Sequence, residues 1–189
     1  QGTEGACVGF GWTTDLLANP VAPKPQPDPA VADAFARNLY HEAQKVDEWE
    51  GEGYYGTSVL AGAKVMQAKG FISEYRWCFS VEDIRDTVIT TGPVVIGVPW
   101  SKMMYWTDSN GLVMMGGDPV GGHCITITGY NPNRKISGAR HEVFRWRNSW
   151  GTTYGVNGCG YIKIEDLASL LSQGGEACVP MGRKVASMI

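Results

Sequence analysis

Apolar positions recur at helical spacing near the start of the chain. Over 6–18, ACVGFGWTTDLLA, Val8, Trp12 and Leu16 share one face with Cys7, Phe10 and Leu17 beside it, which predicts a helix. Gly2 and Gly5 keep the segment before it loop-like, and Asn19-Pro20 stops it. Pro20, Pro23, Pro25, Pro27 and Pro29 then predict an extended surface stretch. A second helix is expected over 30–46, with Val31, Ala34, Phe35, Asn38 and Leu39 on one side. Gly51, Gly53 and Gly56 mark a sharp turn or a close backbone approach, and Thr57 or Ser58 can cap a third helix that ends before Gly70.

Beyond Gly70 the period changes. Residues 73–79 read as extended, and Ser80-Val81-Glu82-Asp83 opens a short helix to about Thr90 with a capping box. The run PVVIGVPW over 93–100 is a buried strand. Asp108-Ser109-Asn110-Gly111 is a turn. Strands are expected over 123–130, 142–148 and 160–164, then a helix over 165–172 and a last strand over 176–183. Helices first and strands second predict an α+β arrangement. We read 1–189 as one domain, with a helical lobe over about 1–70, a connection over 71–91 and a mostly antiparallel β lobe over 92–189. The cleft between the lobes is the expected site.

Composition narrows the function. Hydrophobic residues make up 43% and charged residues 19%, which is globular rather than disordered. Lys+Arg number 16 against 19 Asp+Glu, a net charge of -3 with no polybasic cluster, so neither nucleic acid nor a membrane surface is an expected partner. No apolar run reaches the roughly 20 residues of a membrane span. The chain opens on Gln1 without a charged-then-apolar leader, so upstream sequence is expected and localisation is not legible at this end. Cysteines stand at 7, 78, 124, 159 and 178 without a CxxC pair, which argues against zinc and against a disulfide scaffold. Cys78, Cys124, Cys159 and Cys178 read as packing residues, a Cys159–Cys178 bridge being the one pairing considered. The Met103-Met104 and Met114-Met115 pairs read as core or cleft lining, and His41 and His141 as solvated.

One set of residues carries chemistry. Cys7 stands at the start of the first helix, where the dipole and free amides favour a thiolate. His123 begins one strand of the second lobe and Asn148 ends another. A thiol nucleophile needs a base, and the base needs a group that holds its ring. Gln1 can bring an amide N–H toward the same point, making with the Cys7 backbone N–H a two-donor oxyanion hole.

These residues resemble the papain-like cysteine peptidases. The resemblance runs almost the whole length. It rests on Gln1-Gly2 with Gly5-Ala6-Cys7, on Gly122-His123 before an apolar strand ending Gly129-Tyr130, and on Asn148-Ser149-Trp150-Gly151 with Gly160-Tyr161-Ile162. It implies a papain-like two-lobe fold, with a helical N-terminal lobe, an antiparallel β-barrel-like C-terminal lobe and the active-site cleft between them. It implies Cys7 as nucleophile, His123 as general base and then acid, Asn148 as the residue orienting the imidazole, and Gln1 as oxyanion donor. Trp150 would cover the Asn148–His123 hydrogen bond. Gly51 and Gly53 would pair with substrate backbone, Tyr54 or Tyr55 would flank the pocket, and Gly97, Gly121, Gly122 and Cys124 would line the opposite wall. The implied partners are a peptide or protein substrate and an inhibitory pro-segment or protein inhibitor, with no cofactor and no metal.

Three departures accompany the resemblance. Glu4 stands where the family usually has a cysteine, and no cysteine lies between 7 and 78, so the family's bridge to the glycine segment cannot form. Val8 replaces the usual aromatic after the nucleophile, and Gly122 the acidic residue often found before the histidine. The stretch Glu50-Gly51-Glu52-Gly53-Tyr54-Tyr55-Gly56-Thr57-Ser58 looks most like microbial or viral members, and with the missing bridge favours a cytoplasmic setting over a secreted one. Two other readings share the same residues: another thiol acyl transferase or amidase, and a catalytically silent papain-like binding module.

Overall fold

The computed structural model describes residues 1–51 and 53–184. The helical elements are α1 (Cys7–Leu17), α2 (Pro29–Gln44) and α3 (Val59–Ala68), followed by β1 (Glu74–Cys78), α4 (Val81–Thr90) and β2 (Val94–Ser101). After a 3-10 turn (Lys102–Tyr105) come β3 (Pro119–Ile136), β4 (Ala139–Arg147), β5 (Cys159–Lys163), α5 (Ile164–Ser172) and β6 (Glu176–Met181). The starts are chemically marked. Asp28 accepts from the Ala30 N–H with Pro29 in the first turn, and Ser58 accepts from the Ala61 N–H. Ser80 and Asp83 close the expected capping box on α4.

The strands form one open antiparallel sheet in the order β1-β6-β2-β3-β4-β5. Residues 71–91 therefore supply an edge strand and a helix. β3 is 18 residues long and extends well past the expected 123–130. The extension is a hairpin with β4, turned at Ser137 (φ 49) and Gly138 (φ 88), both left-handed as a tight two-residue connection requires.

β2 explains the continuous apolar run of its sequence, since helices cover one face of the sheet and the second core the other. Val95 packs toward Val8, Trp12, Leu39 and Met66 on the helical side. Val94, Ile96 and Val98 face Ile84, Ile127, Phe144 and Leu167 on the other. Among the described residues no helix is long and apolar enough to cross a membrane.

α1 is wedged between α2 and the sheet, and glycine makes this possible. A methyl on Gly9 would fall 1.9 Å from the Ala36 carbonyl oxygen on α2, and one on Gly11 would fall 2.8 Å from Cys124 Sγ on β3. The Thr126 hydroxyl then donates to the Gly11 carbonyl at 2.7 Å, which fixes the middle of α1 against β3.

Candidate active site

Cys7 is the first residue of α1 and is half-buried. Ala6 at the N-cap offers no side-chain acceptor, so first-turn amides are left for other partners. The Cys7 sulfur receives two of them, from Cys7 and Val8, and a third backbone N–H from Cys124 on β3. Burial nevertheless outweighs these donors and pushes the thiol above its ordinary value. The amide donors act in the expected direction, toward the thiolate, and burial opposes them.

His123 lies on β3 opposite Val98 and is 7% exposed. Its Nε2 meets Asn148 Oδ1 at 2.9 Å, and the Ser149 N–H donates to the same oxygen at 2.8 Å. An oxygen already accepting an N–H can only accept from the ring, so Nε2 carries the proton and Nδ1 is the basic nitrogen. Asn148 leaves β4 with its own N–H on the Gly158 carbonyl at 3.0 Å, and the Tyr154 hydroxyl lies beside its amide. Aromatic rings enclose the imidazole. Trp150 stacks on it with centroids 4.6 Å apart, and Trp100 meets it edge-on at 4.6 Å. Tyr105 stacks on the far face of Trp150 at 5.1 Å. This dry enclosure lowers the His123 pKa to about 4 by desolvation, against the pull of Asn148.

Cys7 and His123 both line two adjoining cavities. The first, of about 800 Å³, has Trp49, Tyr54, Tyr55, Gly56, Thr57, Ser58 and Val59 on the helical side. Gly97, Val98, Pro99, Gly121, Gly122, Cys124, Gly174 and Glu176 complete it. The second, of about 590 Å³, adds Gln1, Trp100, Tyr105, Val120 and Trp150. Together they make one cleft that passes the sulfur and the imidazole.

Most of the expected lining residues are there: Tyr54, Tyr55, Gly97, Gly121, Gly122 and Cys124 in the first cavity and Trp150 in the second. Gly51 and Gly53 are not. Both are exposed and line neither cavity, while Glu52 lies outside the described residues. The wall glycine is Gly56 instead. Asp47 holds the Tyr54 hydroxyl and the Thr57 hydroxyl, each at 2.6 Å, and curls residues 54–58 toward the cleft. A methyl on Gly5 would fall 2.7 Å from the Gly56 nitrogen, so the two backbones touch beside Cys7. Glu176 and Trp49 were also missed. Nothing in sequence links the first residue of the last strand to residues 49–59.

Gln1 reaches the second cavity with its amide already engaged. Nε2 donates to the Glu4 carbonyl at 2.8 Å and Oε1 accepts from the Ser149 hydroxyl. One N–H of that nitrogen remains. Glu4 pairs with Arg37 on α2 and also meets His41 there, which ties the segment before Cys7 to α2. All five cysteines are free thiols.

The profile of the papain family cysteine proteases matches residues 40–178, most of the chain. The protein belongs to the papain family. The matched span holds His123 and Asn148, and Cys7 lies upstream of it. Solved structures carry the same fold through the remainder. Xylellain, a cysteine protease from Xylella fastidiosa, superposes with a TM-score of 0.68 at 16% identity, over 96% of this chain and 81% of that one. Procathepsin L 3 from the larval midgut of Tenebrio molitor gives 0.60 at 13% identity, over 95% of this chain. A structure from a study of the mite allergens Blo t 1 and Der p 1 gives 0.59 at 16%. The papain-family chain here spans only 64% and 65% of those two. No curated protein sequence matches it significantly.

Proposed function

We propose that the protein is a peptidase that hydrolyses peptide bonds through an acyl-enzyme on Cys7. The observation that carries this is the sulfur at the start of α1 and the imidazole of β3 lining one cleft, the imidazole held by Asn148 at 2.9 Å. His123 Nδ1 takes the Cys7 proton as sulfur attacks the carbonyl carbon. The carbonyl oxygen, now negative, is met by the Cys7 backbone N–H and the remaining Gln1 amide N–H. His123 then protonates the leaving amine, and the C–N bond breaks. In the second half-reaction it takes a proton from water, whose oxygen attacks the thioester and releases Cys7. The face of Trp150, stacked on the ring, favours the imidazolium that forms midway, since a ring face attracts a cation. Peptide or protein substrates occupy the cleft, as would an inhibitory pro-segment or a protein inhibitor.

Substoichiometric iodoacetamide followed by peptide mapping tests the reading. Cys7 and Cys159 are both half-buried, whereas Cys78, Cys124 and Cys178 are buried. Label is expected on Cys7 first; Cys159 labelled at an equal rate counts against an activated thiol. Product analysis with added amine separates hydrolysis from acyl transfer.

The pH profile follows from burial. Cys7 and His123 share one proton in the working state, whichever of them holds it. Adding a proton makes the pair net positive and removing one makes it net negative. Desolvation opposes both, holding His123 down to about 4 and Cys7 above the ordinary thiol range. The expected kcat/KM with a neutral peptide has an acid limb near pH 4, a broad plateau and an alkaline limb above the ordinary thiol pKa. An acid limb near the ordinary imidazole value would contradict the dry enclosure.

Glu176 is the charged residue of the first cavity, and burial raises its pKa. We infer that this cavity accepts a basic side chain. Glu176→Gln is expected to cut kcat/KM for a substrate with Lys or Arg there by about tenfold, with aliphatic substrates unchanged. Equal losses on both substrates would remove Glu176 from specificity.

A further inference from the structure

On the helical face of the sheet, at the C-terminal end of α1, lies a cavity of about 870 Å³ that the proposed peptidase cleft does not use. The loop carrying Lys24 and the strand β4 carrying Arg145 and Arg147 form its walls. A smaller pocket of about 210 Å³ adjoins it, sharing Arg145 and Tyr161 and adding Arg134. Neither lining contains an Asp or a Glu. None of these four cations is in an ion pair among the described residues. That is unusual in a chain with more acidic than basic residues, 19 against 16.

The cations are arrayed by the sheet. Arg145 and Arg147 are two apart on β4 and so project from the same face, about 7 Å from each other along the strand. Across β5 they pair with Tyr161 and Cys159, and the Arg134 guanidinium lies 3.3 Å from the Tyr161 ring centroid. Arg145 spends its Nε on the Thr128 hydroxyl at 3.2 Å. Arg147 spends Nη1 on the Asn157 carbonyl. Arg134 gives Nη2 to the Asn110 carbonyl at 2.9 Å, while its buried Nε finds no acceptor. Guanidinium N–H groups thus remain over at all three arginines. Asp108 feels the charge of Arg134, but no carboxylate lines the groove, so the cations gathered there repel one another and an anion relieves that cost.

We propose that this groove binds a multiply charged phosphate anion, its oxygens bridging Arg147, Arg145 and Arg134 with Lys24 at the rim. Guanidinium forks match phosphate oxygens bidentately, and a row spaced by a strand suits a chain of phosphates better than a single one. The overall charge of -3 repels anions in general, so affinity must come from this local row.

The test is isothermal titration of the intact protein with tripolyphosphate and with ATP, at constant ionic strength. Saturable binding is expected for both, and orthophosphate should be weaker. Tripolyphosphate at least as tight as ATP marks a free phosphate chain as sufficient; ATP tighter marks a nucleotide as the source; both outcomes support the site. Arg145→Gln is exposed and leaves the loop contacts of Arg147 intact, so it should fold. It is expected to weaken binding about tenfold, and Arg145→Gln with Lys24→Gln further. No saturable heat at millimolar ligand, or affinity unchanged in Arg145→Gln with an unaltered melting midpoint, overturns the proposal. Neither result depends on peptide hydrolysis.

Discussion

Cys7→Ser is expected to lower kcat/KM on a fluorogenic peptide by about 10⁴- to 10⁶-fold, with the fold unchanged by circular dichroism. A serine hydroxyl is a far poorer acid than a thiol, and three backbone N–H groups gathered around a sulfur do not make it an alkoxide. His123→Ala is expected to cost as much, because the proton acceptor vanishes. The double variant should be scarcely worse than either single one, since the two residues act as a unit. Additive losses would mean that they serve separate steps. Residual turnover above one-hundredth of wild type in Cys7→Ser would dismiss the thiol from the reaction. The serine variant is a close comparison: the half-buried sulfur only borders the core that Val8 and Trp12 build, and serine keeps its shape to within one atom.

These expectations were partly legible before any coordinates. The start of α1, the strand β2 and the capping box of α4 follow from local patterns that tertiary structure did not override. Cys7, His123 and Asn148 could be named because each residue type has a distinct chemical use. What could not be read is what depends on distance in sequence. Gly56 outranks Gly51 and Gly53 at the cleft because Asp47 grips two hydroxyls of the loop, a side-chain choice without local signature. Glu176 joins the cavity only because β6 inserts between β1 and β2. The desolvation of the pair is hidden for the same reason: the helix start is visible in sequence, and the tryptophan enclosure that dries the site is not. The long β3–β4 hairpin turns on Ser137-Gly138, a weak turn signal beside the polar residues around it.

Asp15→Ala carries the largest expected effect on stability, about 3–5 kcal/mol in urea unfolding. Asp15 is fully buried on α1, and Arg183, just beyond β6, is almost as deep, with side-chain exposures of 0% and 4%. Arg183 Nη1 donates to Asp15 Oδ1 at 2.8 Å and Nη2 donates to the Thr91 carbonyl at 3.2 Å. Gly92 makes room: a methyl there would fall 1.9 Å from the guanidinium. The pair therefore joins the helix that begins with Cys7, the end of α4 and the end of the last strand. Removing the carboxylate strands a guanidinium without a counter-charge, which costs far more than the pair itself contributes. Asp15→Leu with Arg183→Met removes both charges and is expected to recover most of the loss, although either change alone is severe. If the double variant proved as unstable as Asp15→Ala, the loss would lie in packing around α1 rather than in an unpaired cation. With total stabilities of about 5–15 kcal/mol for such domains, Asp15→Ala would leave a chain folded only marginally. Its peptidase activity per folded molecule should nonetheless persist, since Asp15 lies outside both halves of the cleft.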